Sequence, residues 1–332
     1  MTRVFLALAC TALLGGCDTI GYYRQAIGGH LGVMAAARPI DALLADPATP
    51  PDLRQRLEVA QRIRAFASHS LGLPDNGSYL SYADIGRSYV VYNVFAAAEF
   101  SVEPHRECFP VTGCVAYRGF FSEADARRHA EKLKAQGLDV YVGGVPAYST
   151  LGWFDDPLLS TFIRYSDGQL ARLIFHELAH QVVYAKGNTT FNESFAVVVE
   201  EEGVKRWLVA EGRPQELEAF RTAQARRKAL AASVKAARAR LAAVYASGAS
   251  PEALRAAKEA EFARLRAEHP QRVPAQASNG FLVAIALYNE LVPQLEQVLR
   301  ESGSLEAFYA RARDFARSDA LRVKPPGPAA SR

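Results

Sequence analysis

Apolar residues recur along this chain in two rhythms. Between residues 52 and 71, Leu53, Leu57, Ala60, Ile63, Phe66 and Ala67 fall three and four positions apart, which places them on one face of a helix. Before it, residues 19–50 predict a short helix and then a loop that ends in Asp46-Pro47-Ala48-Thr49-Pro50-Pro51. Leu73-Pro74-Asp75-Asn76-Gly77 reads as a turn. The rhythm then changes. Residues 88–96 are rich in β-branched and aromatic side chains and predict a strand, as do Tyr117 to Phe121 and Leu138 to Val142, the last broken by Gly143-Gly144. A helix over 122–136 opens on a Ser122 cap and closes at Gly137. From 168 onward the pattern is helical: 168–186, 192–211, a hairpin over 214–270 with a break at Ser247 to Pro251, then 279–300 and 304–318. The expected class is α+β, predominantly helical, with a small upstream sheet and a downstream helical bundle.

Length and composition narrow this little. A chain of 332 residues can bury a sizeable core in one large domain or two smaller ones. A net charge of +4 gives no reason to invoke nucleic acid, and the many arginines of 214–270 read as a solvated face.

The first residues bear on compartment. Arg3 precedes the apolar stretch Val4 to Leu14, too short for a permanent membrane span, and the stretch ends in Leu14-Gly15-Gly16-Cys17. Small residues before a cysteine resemble the lipobox of bacterial lipoproteins, which implies cleavage before Cys17 and a lipid on it. The alternative is an ordinary signal peptide with a chance cysteine. Asp18 resembles an inner-membrane retention signal of enteric bacteria. The expected location is the cell envelope, lipid-anchored and facing the periplasm. Processing would remove Cys10 and leave Cys108 and Cys114 as a disulfide closing a short loop. Two free thiols, or half of a metal site, are the alternatives.

The chemistry concentrates at His176-Glu177-Leu178-Ala179-His180. Positions i and i+4 share one helix face, so both imidazoles can reach one zinc ion, with Glu177 beside them to take a proton from water. Leu170, Leu173, Ile174, Leu178 and Val182 supply the helix with an apolar face. The alternative is two core or surface histidines on a helix. A catalytic zinc takes three protein ligands and keeps a position open. Glu193, thirteen residues after His180, lies in the first turn of the expected next helix, and Lys186 to Thr190 can reverse the chain between them. Its rivals are Glu200, Glu201 and Glu202, two turns further along.

His176 to His180 followed by Asn192-Glu193-Ser194-Phe195-Ala196 resembles the gluzincin metallopeptidases, whose aminopeptidase branch draws its third ligand from an Asn-Glu-Gly-Phe-Ala segment. The chain departs from that pattern in its shorter spacing and in Ser194. A closer resemblance, to a group of predicted bacterial aminopeptidases that are often lipoproteins, covers nearly the whole mature chain. It is carried by Arg38-Pro39-Ile40, Leu73 to Tyr79, Cys108-Phe109-Pro110, Gly113 to Gly119, Ala147 to Pro157 and Phe175 to Gln181. The resemblance implies one Zn²⁺, held by His176, His180 and Glu193 in a zincin-like core, and a peptide or protein substrate. The implied activity is that of an aminopeptidase with Glu177 as general base; a membrane-anchored zinc endopeptidase is the alternative. A lipoprotein with a structural or lost metal site is a third reading, against which the intact Glu177 stands.

In gluzincins a tyrosine or histidine stabilises the oxyanion, which points to Tyr288, with Tyr148 and Tyr165 as alternatives; each also reads as a core tyrosine. A substrate-binding strand precedes the motif helix there, which points to Tyr148, Ser149, Thr150, Leu151 and Gly152. The other reading of that segment is a buried connection that holds Trp153 in the core. Glu99 and Glu103 are candidate anchors for a substrate amine, while His30, His69, His105, His129 and His269 lack metal spacing. The expected divisions are a lipoprotein signal peptide over 1–16, a tether and helix over 17–51, the catalytic region over 52–211, a helical region packing on it over 212–320, and a disordered tail over 321–332.

Overall fold

The computed structural model describes residues 21–109 and 113–317. The expected signal peptide, Cys17 and the tail lie outside them. The N-terminal part runs through helix α1 (residues 21–35), strand β1 (Ala37–Pro39), helices α2 (Ile40–Ala45) and α3 (Pro51–Leu71), and strands β2 (Ser81–Ala83) and β3 (Val91–Ala98). Next come the short pair β4 (Glu107–Phe109) and β5 (Gly113–Val115), then β6 (Tyr117–Phe120), helix α4 (Glu123–Ala135), β7 (Leu138–Val145) and β8 (Leu158–Leu159). The rest is helical: α5 (Asp167–Ala179), α6 (Thr189–Ala210), α7 (Pro214–Tyr245), α8 (Pro251–Glu268), α9 (Asn279–Asn289), α10 (Val292–Ser302) and α11 (Leu305–Arg317). The protein is α+β and predominantly helical, with small sheets.

Side-chain alternation along β3 sets the layering. β3 pairs antiparallel with β6 on one edge and β7 on the other. Successive strand residues face opposite sides. Val94 and Ala96 pack against Ala126, Ala130 and Leu133 of α4, while Phe95 and Ala97 pack against Val283, Ala284 and Leu287 of α9. Gly280 lets α9 lie directly on strand backbone, since a Cβ there would meet the Phe95 carbonyl oxygen at 2.7 Å and the Tyr141 nitrogen at 2.8 Å. The largest core joins α3, α5, α6, α10 and α11 around Ile63, Phe175, Phe195, Trp207 and Phe308. Gly203 of α6 allows that close approach: a Cβ there would sit 2.8 Å from both Leu71 and Phe175.

Several element boundaries differ from the sequence reading. β7 continues through Gly143 and Gly144, which pair with Asn93 and Tyr92; the rings of Tyr141 and Tyr89 occupy the space where those glycines lack a Cβ, so the pair does not break the strand. The expected helix over 279–300 is two helices, α9 and α10, and Pro293 near the start of α10 has no N–H to continue a ladder. α5 ends at Ala179 rather than 186. His180 keeps right-handed helical angles (φ −60°, ψ −23°), and the next turn tightens as Gln181 N–H and Val182 N–H donate to carbonyls only three residues back. α6 begins earlier than expected, where the Asn188 side chain accepts from Phe191 N–H as an N-cap. Glu193 therefore stands in the second turn of α6 rather than the first.

Candidate metal centre

α5 and α6 pack side by side, and their facing positions bring three donors together. One ligand atom from each of His176, His180 and Glu193 lies within 4.8 Å of the others. His176 Nε2 is 3.4 Å and His180 Nε2 3.8 Å from the same Glu193 oxygen. All three residues are buried. On the far side of His176, Nδ1 lies 2.8 Å from Glu200, and Glu200 in turn accepts two hydrogen bonds from Arg172 at 3.0 and 3.1 Å. A carboxylate on Nδ1 selects the tautomer that leaves Nε2 bare, the arrangement a metal-ligating histidine uses. Two imidazoles and a carboxylate converging without a fourth protein donor among the described residues fit a divalent cation of the zinc type with a position left open. Nδ1 of His180, buried as well, has no hydrogen-bond partner among the described residues.

The electrostatics suit a cation. Burial alone would lower the pKa of His176, but the carboxylates of Glu193 and Glu200 outweigh it and push it up to about 10. His180 is lowered to about 4 by burial, with His176 adding to the shift. Glu177 is also buried. Desolvation, and then the neighbouring Glu193, raise its carboxyl to about 7, close to where a general base is most effective.

A cavity of about 780 Å³ opens onto these residues. Among its described lining residues, Glu177 and Glu193 are the only carboxylates. Tyr288 lines it, its ring stacked on His176 with centroids 6.5 Å apart. Tyr117, at the start of β6, also lines it. Burial first, and the Glu193 carboxylate next, raise both phenols well above the ordinary range, so both keep their protons. Tyr148 lines the cavity too, but its hydroxyl is engaged at 2.7 Å by His30 Nδ1 of α1.

Residues 148–152 form neither a strand nor a buried connection. They make an irregular loop along the cavity wall with Trp153 85% exposed, so Trp153 is not a core residue. Leu151 and Gly152 take left-handed angles (φ +58° and +80°), which turn the loop sharply. For Leu151 this costs roughly 1–2 kcal/mol. Asp156, buried behind the loop, accepts from Thr150 N–H at 2.8 Å and from the Thr150 hydroxyl at 3.0 Å. Desolvation raises Asp156 to about 6. Gln181, next to His180, holds the other side: its carbonyl accepts from Asn76 at 2.8 Å and its amide donates to Ser78 Oγ at 3.2 Å. Gly152 packs against the same side chain, and a Cβ there would lie 3.3 Å from Gln181 Oε1.

Other sequence candidates fall elsewhere. Glu201 pairs with Lys228, and Glu202 with Lys205 and Arg206, away from the donors. Tyr165 is partly exposed, its backbone carbonyl accepting from Arg56, and does not line the cavity. Glu99 pairs with Arg255 and Glu103 with Arg238, outside the cavity, so neither can anchor a substrate amine there. Cys108 faces Cys114 across β4 and β5, and the two are joined by a disulfide. His129 contacts Glu107, and His269 contacts Ser233. Sequence reasoning missed Arg172, Tyr117 and His30. Arg172 sits four residues before His176 on the same helix face, a visible signal. Tyr117 and His30 reach the cavity through tertiary packing alone.

Residues 21–324 match the model of a protein family described as "Putative aminopeptidase", and the chain belongs to that family. No curated protein and no solved structure matches it.

Proposed function

We propose that the protein is a zinc-dependent peptide hydrolase, an aminopeptidase acting on short peptides, with His176, His180 and Glu193 as ligands of one Zn²⁺ and Glu177 as the general base. The observation that carries this reading is the convergence of the three buried donors beside Glu177 on the floor of one cavity; the family description supports the peptidase class. Zinc held by these donors would acidify water and polarise the scissile carbonyl. Glu177, buried beside the three donors with its carboxyl raised by desolvation, takes the proton of the attacking water and delivers it to the leaving amine. Tyr288 donates its phenolic hydrogen bond to the carbonyl oxygen as negative charge builds there. The loop from Tyr148 to Gly152 offers backbone groups to the substrate along the cavity wall. A lipid on Cys17 holds the enzyme at the bacterial envelope, facing the periplasm, with Asp18 favouring the inner membrane.

The test is metal analysis of the purified protein together with digestion of paired peptides, one of each pair free and the other acetylated at its N-terminus. One zinc per chain and release of single N-terminal residues from the free peptides alone is the expected result. A protein that binds no metal and cleaves neither set would overturn the reading, and internal cuts in both sets would replace aminopeptidase by endopeptidase.

A further inference from the structure

Of the nine large apolar side chains exposed among the described residues, Ile27, Leu31 and Phe154 come together at one cavity, with Trp153 next to Phe154 in the chain. Ile27 (59% exposed) and Leu31 (57%) stand one helical turn apart on α1, and both line the cavity mouth. His30 lies between them, and the ring of Phe154, itself 52% exposed and a lining residue, packs on it with centroids 4.6 Å apart. Trp153 follows at 85% exposure. The opposite face of α1 is fixed to the protein. The Gln25 side chain donates to the Gly119 carbonyl and accepts from Phe121 N–H, while Gly29 sits directly against the Phe121 ring. Ile27 and Leu31 are therefore held outward by the fold, at one rim with the Phe154 ring, which Trp153 adjoins in the chain.

We infer that this rim seats on the surface of a lipid bilayer and turns the cavity mouth toward the membrane. A contiguous exposed apolar patch on an otherwise charged surface marks an interaction site. Tryptophan and phenylalanine beside aliphatic residues on an amphipathic helix are the side chains that enter the interface between headgroups and acyl chains. Residues 21–35 contain Arg24 and no acidic residue, so α1 brings no charge that anionic headgroups would repel. The chain outside the described residues points the same way. Cys17 precedes α1 by only four residues, a span of at most about 14 Å when fully extended. A lipid on that cysteine would keep α1 beside the bilayer. Among the described residues no helix is long and apolar enough to cross a membrane. The favoured substrates are then peptides presented at the membrane surface. In its geometry the inference rests on the proposed anchor at Cys17.

The chain carries two tryptophans, the exposed Trp153 and the fully buried Trp207, which makes fluorescence a direct test. The full processed chain is reconstituted on vesicles of phosphatidylethanolamine and phosphatidylglycerol that contain acyl-brominated lipid. Vesicle co-sedimentation and the mass of the N-terminal peptide are measured in parallel. The expected result is a blue shift and quenching of Trp153 emission, abolished in Trp153→Phe and diminished in the double variant Ile27→Ser/Leu31→Ser, with Trp207 emission unchanged. A chain that co-sediments with vesicles while Trp153 stays unquenched at its aqueous wavelength overturns the docking and leaves the anchor standing. Quenching of a chain that carries no lipid on Cys17 keeps the docking and removes the anchor. Absence of both co-sedimentation and quenching overturns both. A blue shift that depends on protein concentration without lipid assigns the rim to a second copy of the chain and overturns the membrane contact.

Discussion

The carboxylates around the cavity floor and those of the α7–α8 hairpin are the same chemical groups in opposite circumstances. Glu177, Glu193 and Glu200 on α5 and α6, with Asp156 behind the loop, are buried. Their neighbours decide whether each is held as an anion or kept protonated. Glu200 is held below its usual range: burial opposes ionisation, but Arg172 and His176 win. Glu177, where burial outweighs the attraction of His176, and Asp156, which has no cationic neighbour, are pushed up. On the hairpin, Glu261 meets Arg240 at 2.6 and 2.9 Å and Arg264 at 3.3 Å, and Glu268 meets Arg264 at 3.5 Å, with the arginines more than 40% exposed. The Glu261 side chain itself is only 11% exposed, so what separates it from the cavity carboxylates is that each of its cations stands in water, which screens the pairs from the arginine side. A count of acidic residues along this chain therefore says little; what each carboxylate faces, and how much water reaches it, sets its contribution.

The two regions should differ most at Glu177. Glu177→Gln keeps its size and should retain zinc and fold, yet lose a factor of about 10²–10⁴ in peptide hydrolysis. Glu193→Gln should instead lose activity together with the metal. Zinc content measured beside turnover separates the two, and an active Glu177→Gln enzyme would end the proposed mechanism.

Asp156 comes next. Its carboxyl titrates near pH 6 in the fold and near 3.9 in an unfolded chain. Between those values the folded state holds a proton that the unfolded state has released, so stability falls as pH rises through this window, by on the order of 3 kcal/mol. Asp156→Asn should flatten that loss. The check is the melting temperature of both proteins at pH 4 and pH 7; parallel pH dependence would mean that Asp156 is already ionised in the fold.

Glu200 is a buried carboxylate that does not line the cavity and acts through His176. Glu200→Gln should weaken metal affinity by about 10–100-fold, as loss of such an orienting carboxylate does elsewhere, and added zinc should restore turnover. The smallest effect belongs to the hairpin. Arg240→Ala should cost about 1 kcal/mol or less in urea denaturation, and less still at high salt. A cost of several kcal/mol would erase the distinction between the two regions.

Local pattern made part of this legible. The three-and-four spacing from Leu53 to Ala67 marked α3, and the Ser122 cap marked the start of α4, because both signals act within a few residues. The grouping of His176, His180 and Glu193 was open to inference for the same reason: two of them are one helical turn apart and the third follows a short reversal. Tyr117 and His30 were invisible, since no local rule brings β6 or α1 to α5. The glycines of β7 misled because their gaps are filled by Tyr89 and Tyr141, and for Tyr89 the filling comes from outside the strand. The end of α5 misled because the apolar spacing that runs on to Val182 outlasts the helical hydrogen bonds.

The side chain of Gln181 has a consequence for the order in which the molecule matures. Its two hydrogen bonds reach Asn76 and Ser78, separated from it by 105 and 103 positions, and its flank receives Gly152. Closing so long a loop is entropically slow compared with winding α5. The motif helix can therefore wind early, while the wall beside His180 closes only after the strands between have docked. The donors on α5 can thus stand on their helix before the wall beside them is closed, so the candidate centre and its cavity need not form in one step.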